Sequence, residues 1–301
     1  MATQNPTTAA PIRTSRPRSE RIRKAMFKFI RTKPLGALGL ALVVAACLIA
    51  VIGPQIAPYD PRFISVADRL QGPSANHIFG TDNLGRDMLS RTIYGARISM
   101  MVGITVMLLA GSIAAFIGIT SAFNGGVYDL VVQRFIDAKS AFPALLLALA
   151  LMATFGTSLS TLIVSLVIIF SSTGVRVIRS QVLSIKEMPY VDAARALGAG
   201  KARIMMLHVV PNTFGTMMVY ATSMIGAAIL LEASLSFLGV GTPASVITWG
   251  SMLSGETLLY FTAQPSMILF PGFALTLVVY GINIFGDSLR DVMDPRMRGS
   301  R

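Results

Sequence analysis

Six long apolar runs, separated by polar connectors, dominate the pattern along the chain: Leu35–Ile56, Ile98–Ala122, Leu130–Phe155, Leu159–Val177, Thr213–Leu238 and Met267–Phe285. Each is close to the ~20 residues a helix needs to cross the hydrocarbon of a bilayer. The predicted fold class is therefore all-α integral membrane, with six transmembrane helices. In the second run Gly103, Gly111 and Gly118 are small residues suited to close helix contacts. Pro143 is expected to kink the third run, and Asp137 and Lys139 lie near its start. A charge at mid-bilayer costs ~2.5–3.5 kcal/mol on the insertion scale, which puts those two at the membrane interface. Asn124-Gly125-Gly126 and Gly156-Thr157-Ser158 read as turns.

Composition sharpens this picture. Apolar side chains make up 53% of the 301 residues and charged ones 13%, about half the charged share of an ordinary soluble domain. The net charge of +12 raises nucleic acid as a partner. The basic residues, however, flank apolar runs and are not interleaved with aromatics, so a positive-inside bias explains them and no nucleic acid is expected. The chain divides into a basic tail (1–34), a first span (35–56), an external loop (57–97), a core of five spans (98–289) and a second tail (290–301). Gly239–Pro265 carries no Lys or Arg, whereas both tails are rich in them; both termini are placed in the cytoplasm. The single cysteine, Cys47, excludes an internal disulfide. Val44-Ala45-Ala46-Cys47 loosely resembles a lipoprotein cleavage box, but the apolar run continues to Ile52, which favours a span.

One polar segment, 187–212, lies between the fourth and fifth runs. Pro189 suits a first helical turn, Tyr190–Leu197 continues as a short helix, and Gly198-Ala199-Gly200 ends it. A second short helix, Lys201–Val209, is expected to stop before Pro211, which has no N–H to continue the ladder. An eight-residue helix is unstable alone in water, so something must hold it. Asp192-Ala193-Ala194, Gly198 six residues after the acid and Pro211 thirteen after that glycine resemble the EAA loop of ABC-importer permeases. Asp192 replaces Glu, His208 replaces Ile and Val210 replaces Leu in that pattern. The resemblance implies that Asp192, Ala193, Ala194, Gly198, His208 and Pro211 form a coupling helix that enters a cleft on a separate ATPase. The small alanines permit close approach, and the acid offers a charge-assisted acceptor. An amphipathic connector lying on the membrane surface is the alternative reading. His208 is expected to hydrogen-bond within the turn, with pH sensing as the lesser alternative.

Two further stretches carry the same resemblance. HIFGTDNLGRD at 77–87, followed by Ser90-Arg91 and Tyr94-Gly95-Ala96-Arg97, resembles a signature of the peptide-type importer permeases. Gly80 and Gly85 punctuate turns; Asp82, Arg86 and Asp87 are expected to form a hydrogen-bonded cluster that braces the external loop, with docking of a soluble binding protein as the alternative. EASLSFLG at 232–239 is similar to the same subfamily. Glu232, with Ser234 and Ser236, either lines the pathway, where it would meet a peptide's amino terminus, or is a protonated or Ser-bonded carboxyl near the outer interface that packs two subunits. Trp249, in the Thr248-Trp249-Gly250 turn, is expected to anchor the outer interface.

Together these motifs identify the chain as a member of the dipeptide/oligopeptide (peptide/nickel) ABC-importer permeases, C-type subunit. The resemblance implies the type I importer fold and a bacterial inner-membrane location. It also implies a heterodimer with a second permease, two cytoplasmic ATPases, a periplasmic or extracellular solute-binding protein and a peptide substrate. No catalytic residue is expected. Gly200-Lys201 is the nearest approach to a phosphate loop, but Arg195 and Ala202 occupy positions that need Gly and Ser/Thr. No cofactor is therefore expected on this chain; ATP and Mg²⁺ belong to the partner ATPases. His77 and His208 are far apart and no HExxH or CxxC occurs, so no metal site is expected. Nickel chelates, glutathione or opines are alternative substrates of the same machine. An ion-coupled secondary transporter is a more distant alternative; it would need inverted repeats and paired membrane carboxylates, and only Glu232 stands out. An intramembrane hydrolase lacks a Ser–His pair at membrane depth.

Overall fold

The computed structural model describes residues 27, 29–243 and 245–293. Most of the two basic tails therefore lies outside the described residues. The described chain is helical: α1 Pro34–Ile56, α2 Met88–Asn124, α3 Gly126–Ser140, α4 Ala144–Phe155, α5 Leu159–Lys186, α6 Pro189–Ala196, α7 Lys201–Ile204, α8 Val210–Phe237, α9 Trp249–Met252 and α10 Ser266–Met293. Among the described residues the nearest thing to a strand is one isolated bridge, Thr81 to Asp87.

α2 and α5 are the central pair, and they run parallel. Val102 and Val106 pack with Leu162 and Leu166 at one end, while Ala114 and Ile119 pack with Val175 and Ile178 nearer the other. Two parallel neighbours require the chain to cross back between them, and α3 with α4 makes that crossing. Five helices are long and apolar enough to span a membrane alone, and the bent α3–α4 pair is the sixth crossing. That pair corrects the expected third span. It is two helices at 86° rather than one kinked helix, because Pro143 is the N-cap residue of α4 and cannot extend the α3 ladder.

α2 is longer than its apolar run: 37 residues rise about 55 Å, against ~30 Å of hydrocarbon. Its first turns therefore project beyond the membrane, where the hydropathy pattern predicts a loop. Gly103 and Gly118 serve the expected close contacts, against Ile225/Ile229 and Val175/Ile178, whereas Gly111 faces open space. A pair that the pattern does not disclose does the same elsewhere: a Cβ on Gly39 would lie 2.6 Å from the Gly281 carbonyl, so α1 and α10 touch backbone to backbone.

Lys33 meets Asp291 at 2.6 Å, tying the start of α1 to the end of α10. Met293 approaches Gly215, just after the segment that carries α6. Both ends of the described chain thus lie at the same end of the bundle as α6.

Candidate coupling surface and far-end brace

α6 is anchored by its own sequence. Gly198 follows it at φ +80°, and two bonds close the end: Gly198 N–H donates to the Arg195 carbonyl at 2.9 Å and Ala199 N–H to the Ala194 carbonyl at 3.0 Å. This crossed pair requires a left-handed residue, which glycine supplies without a Cβ penalty. The accompanying apolar contact is also present: Val191 is fully buried, and Ala194 and Ala199 pack on the same cluster of Ile185, Ile204 and Val209. Tertiary packing thus supplies the stability that eight residues lack.

The opposite face is left open. Asp192 and Ala193 are exposed, and among the described residues the Asp192 carboxylate is held by Arg195 at 2.8 Å. Leu197 is 88% exposed, with Met188, Tyr190, Met206 and Leu207 also projecting. A Cβ on Gly198 would meet nothing within 4 Å. The His208 ring faces Tyr190, with centroids 6.0 Å apart. Pro211 does not end the second helix as expected. Met205–Val209 forms a π turn, in which Val210 N–H donates to the Met205 carbonyl, and the helix runs on through α8. The wider turn re-registers the ladder so that the missing N–H of Pro211 is absorbed.

At the far end, Asp82 organises a tight turn. Its Oδ1 accepts from the backbone N–H of Leu84 (2.8 Å) and Arg86 (2.9 Å), and its Oδ2 accepts from Arg86 Nε at 2.6 Å. Asp87 lies outside that turn and does a different job. It caps α2, accepting from Ser90 N–H and Oγ at 2.8 and 2.7 Å, and pairs with His77 Nδ1 at 2.9 Å. Sequence reasoning assigns His77 no role, and its place in the HIFGTD stretch is the available signal. Replacing Asp87 by Ala removes the cap and leaves the His77 ring and the Ser90 hydroxyl without their acceptor. Such losses cost about 2–4 kcal/mol together. A markedly lower yield of assembled membrane complex is expected, measured by co-purification, whereas Asp87→Asn keeps part of the cap and should be milder. Normal yield from Asp87→Ala would count against a bracing role.

Glu232 is fully buried inside this chain. Its Oε1 accepts from Thr248 Oγ1 at 2.7 Å and Ser236 Oγ at 2.9 Å. Ser234 points elsewhere and back-bonds to the Leu230 carbonyl. Thr248 also caps α9 through a reciprocal pair with Ser251. Trp249 is not the exposed interfacial anchor expected of it. It is 2% exposed, donating from Nε1 to the Thr92 carbonyl at 2.9 Å and from its backbone N–H to Ser99 Oγ at 3.2 Å. It is a buried peg between the α9 turn and α2, because the whole turn folds inward onto α8 rather than lying at the lipid boundary.

Residues 107–299 match the family model of the binding-protein-dependent transport system inner membrane component. This chain belongs to that family. Residues 23–73 also match the N-terminal TM domain of oligopeptide transport permease C. A putative peptide transport system permease protein of Brucella suis is 41% identical over 261 residues, 87% of this permease and 88% of the relative. The dipeptide transport system permease protein of Alkalihalophilus pseudofirmus is 38% identical, over 90% and 89% of the two chains. A probable D,D-dipeptide transport system permease protein of Escherichia coli is 34% identical, over 90% and 91%. Like these relatives, this permease is a membrane transport subunit and not an enzyme.

Proposed function

We propose that this permease forms half of the translocation pathway of an ATP-driven importer for di- and oligopeptides. The observation that supports it most is α6: a short helix rooted in the bundle by Val191, Ala194 and Ala199, with Asp192, Leu197 and Gly198 facing outward. Its partners in this reading are a second, different permease, two cytoplasmic ATPases that dock on α6, and an external solute-binding protein. ATP and Mg²⁺ stay on the ATPases. Both chain termini and α6 face the cytoplasm, in keeping with the basic tails. Closure of the ATPases on ATP drags the two coupling helices together; because α6 is packed on α5 and the π turn below α8, the movement tilts whole spans. Peptide as the substrate class rests on the relatives' names.

The test is uptake of a radiolabelled dipeptide by proteoliposomes holding the complete complex with its binding protein. At least tenfold stimulation by ATP is expected, with none from a non-hydrolysable analogue. Uptake driven by a proton gradient without ATP would overturn the reading.

A further inference from the structure

The α3–α4 break puts a cation where hydropathy does not. The insertion cost predicts Lys139 at the membrane interface. Instead its ammonium reaches the middle of α5, donating to the Ile169 carbonyl at 2.8 Å and to the Ile168 carbonyl. Ile168 is nine residues past the start of α5, a rise of about 14 Å, which is half the ~30 Å of hydrocarbon. Asp137 beside it pairs with Arg176 at 2.8 Å, and both side chains are about half exposed, 54% and 47%. Among the described residues no carboxylate is within ion-pair range of Lys139. The corner therefore holds two cations and one acid.

The same corner carries irregular backbone. Helix stops at Ser140 and resumes at Ala144, and Ser140, Ala141, Phe142 and Pro143 are all exposed on this chain. Non-helical backbone and charged side chains persist at membrane depth only where protein covers them or water reaches them; lipid does neither. α3 leaves most of its surface uncovered, burying only Ile136.

We infer that this corner faces the aqueous substrate pathway and that Lys139, with Arg176 beside it, is a recognition point for a carboxylate on the passing substrate. The inference rests on the importer reading and adds the chemistry it selects. A free peptide carries such a group at its C-terminus, and the ammonium still has an N–H to offer beyond its two carbonyl bonds.

The test uses the complete transport complex in membranes, with Cys47→Ser to remove the native thiol and Ser140→Cys as the reporter. Two methanethiosulfonate reagents of similar size are compared, one ending in sulfonate and one in trimethylammonium. Their rate ratio at the introduced thiol is referred to the same ratio for a free thiol in solution. The anionic reagent, standing in for a carboxylate, is expected to be favoured at least threefold over that reference. Lys139→Gln should return the ratio to the reference, and Lys139→Arg should keep it. If neither reagent reacts, the corner is covered by the sister subunit or lipid and the inference is wrong. If the ratio does not depend on Lys139, the recognition role is wrong. Because labelling needs no transport, a complex that fails the ATP-driven uptake test still gives this answer separately.

Discussion

Gly198→Val is expected to reduce ATP-driven uptake at least tenfold while the purified bundle keeps its thermal stability. Gly198 sits at φ +80°, where a non-glycine residue costs ~1–2 kcal/mol. A β-branched residue there breaks the closing bonds from Gly198 and Ala199 to the α6 carbonyls. The damage stays local, because a Cβ at this position meets no atom within 4 Å. No atom of the bundle clashes with the new side chain; in the importer reading a docked ATPase does. Ala194 is the less informative position, since it packs on Val191 and Ile204 and a bulky replacement there would disturb the core as well. The decisive comparison is uptake and ATPase co-purification set beside a melting curve in detergent. Near-normal uptake with the Gly198→Val chain in the complex would remove α6 as the point of mechanical coupling.

The contrast between Gly198 and Pro211 shows what the sequence can disclose. A glycine closing an eight-residue helix acts through its own φ angle, so a local rule finds it. An equally local rule misplaces the helix end at Pro211, since a missing N–H ends a helix only if the ladder keeps its register. The π turn at Met205–Val209 changes the register, and around it Ile204 and Val209 are buried in one cluster with Ile185 of α5 and Val191 of α6. At the α3–α4 break Pro143 marks where the ladder stops, but a proline by itself does not set the 86° turn. Hydropathy counts 130–155 as one run, but the parallel packing of α2 on α5 sets how the chain must return between them. Lys139 shows the consequence most directly: as a sequence position it lies near the start of the third run, where an interface is expected, yet its side chain ends beside Ile168 and Ile169. Residue type alone sends Trp249 to a membrane interface. Its buried place follows from the partners waiting at Thr92 and Ser99, about 150 residues earlier in the chain.

Gly250→Ala should be far more damaging than Glu232→Gln, although the second removes a charge-bearing group and the first adds one methyl. A Cβ at Gly250 would lie 2.5 Å from Ala233 Cα. Backbone cannot yield as a side-chain tip does, so the α9 turn must lift from α8. That overpacking costs ~1–3 kcal/mol by itself. It also pulls Thr248 away from Glu232 and Trp249 away from Ser99 and Thr92, which are bonds of 2.7, 3.2 and 2.9 Å. Each buried polar group left unpaired adds ~1–3 kcal/mol, so the expected total is about 3 kcal/mol or more, read as a large fall in melting temperature and in uptake. Glu232→Gln, by contrast, keeps a carbonyl oxygen for Thr248 and Ser236. It replaces only Oε2, which already has no hydrogen-bond partner among the described residues, so one unpaired buried group is exchanged for another, no hydrogen bond is lost and the added cost is about 1 kcal/mol. Uptake by the Glu232→Gln variant should then stay close to that of the parent. The pair separates two roles for the carboxyl. If it holds the turn against α8, stability and transport fall together in Gly250→Ala and neither falls in Glu232→Gln. A Glu232→Gln permease that melts normally but no longer transports would show that the ionised group is exposed to substrate at some stage of the cycle, and the scaffolding role would be lost.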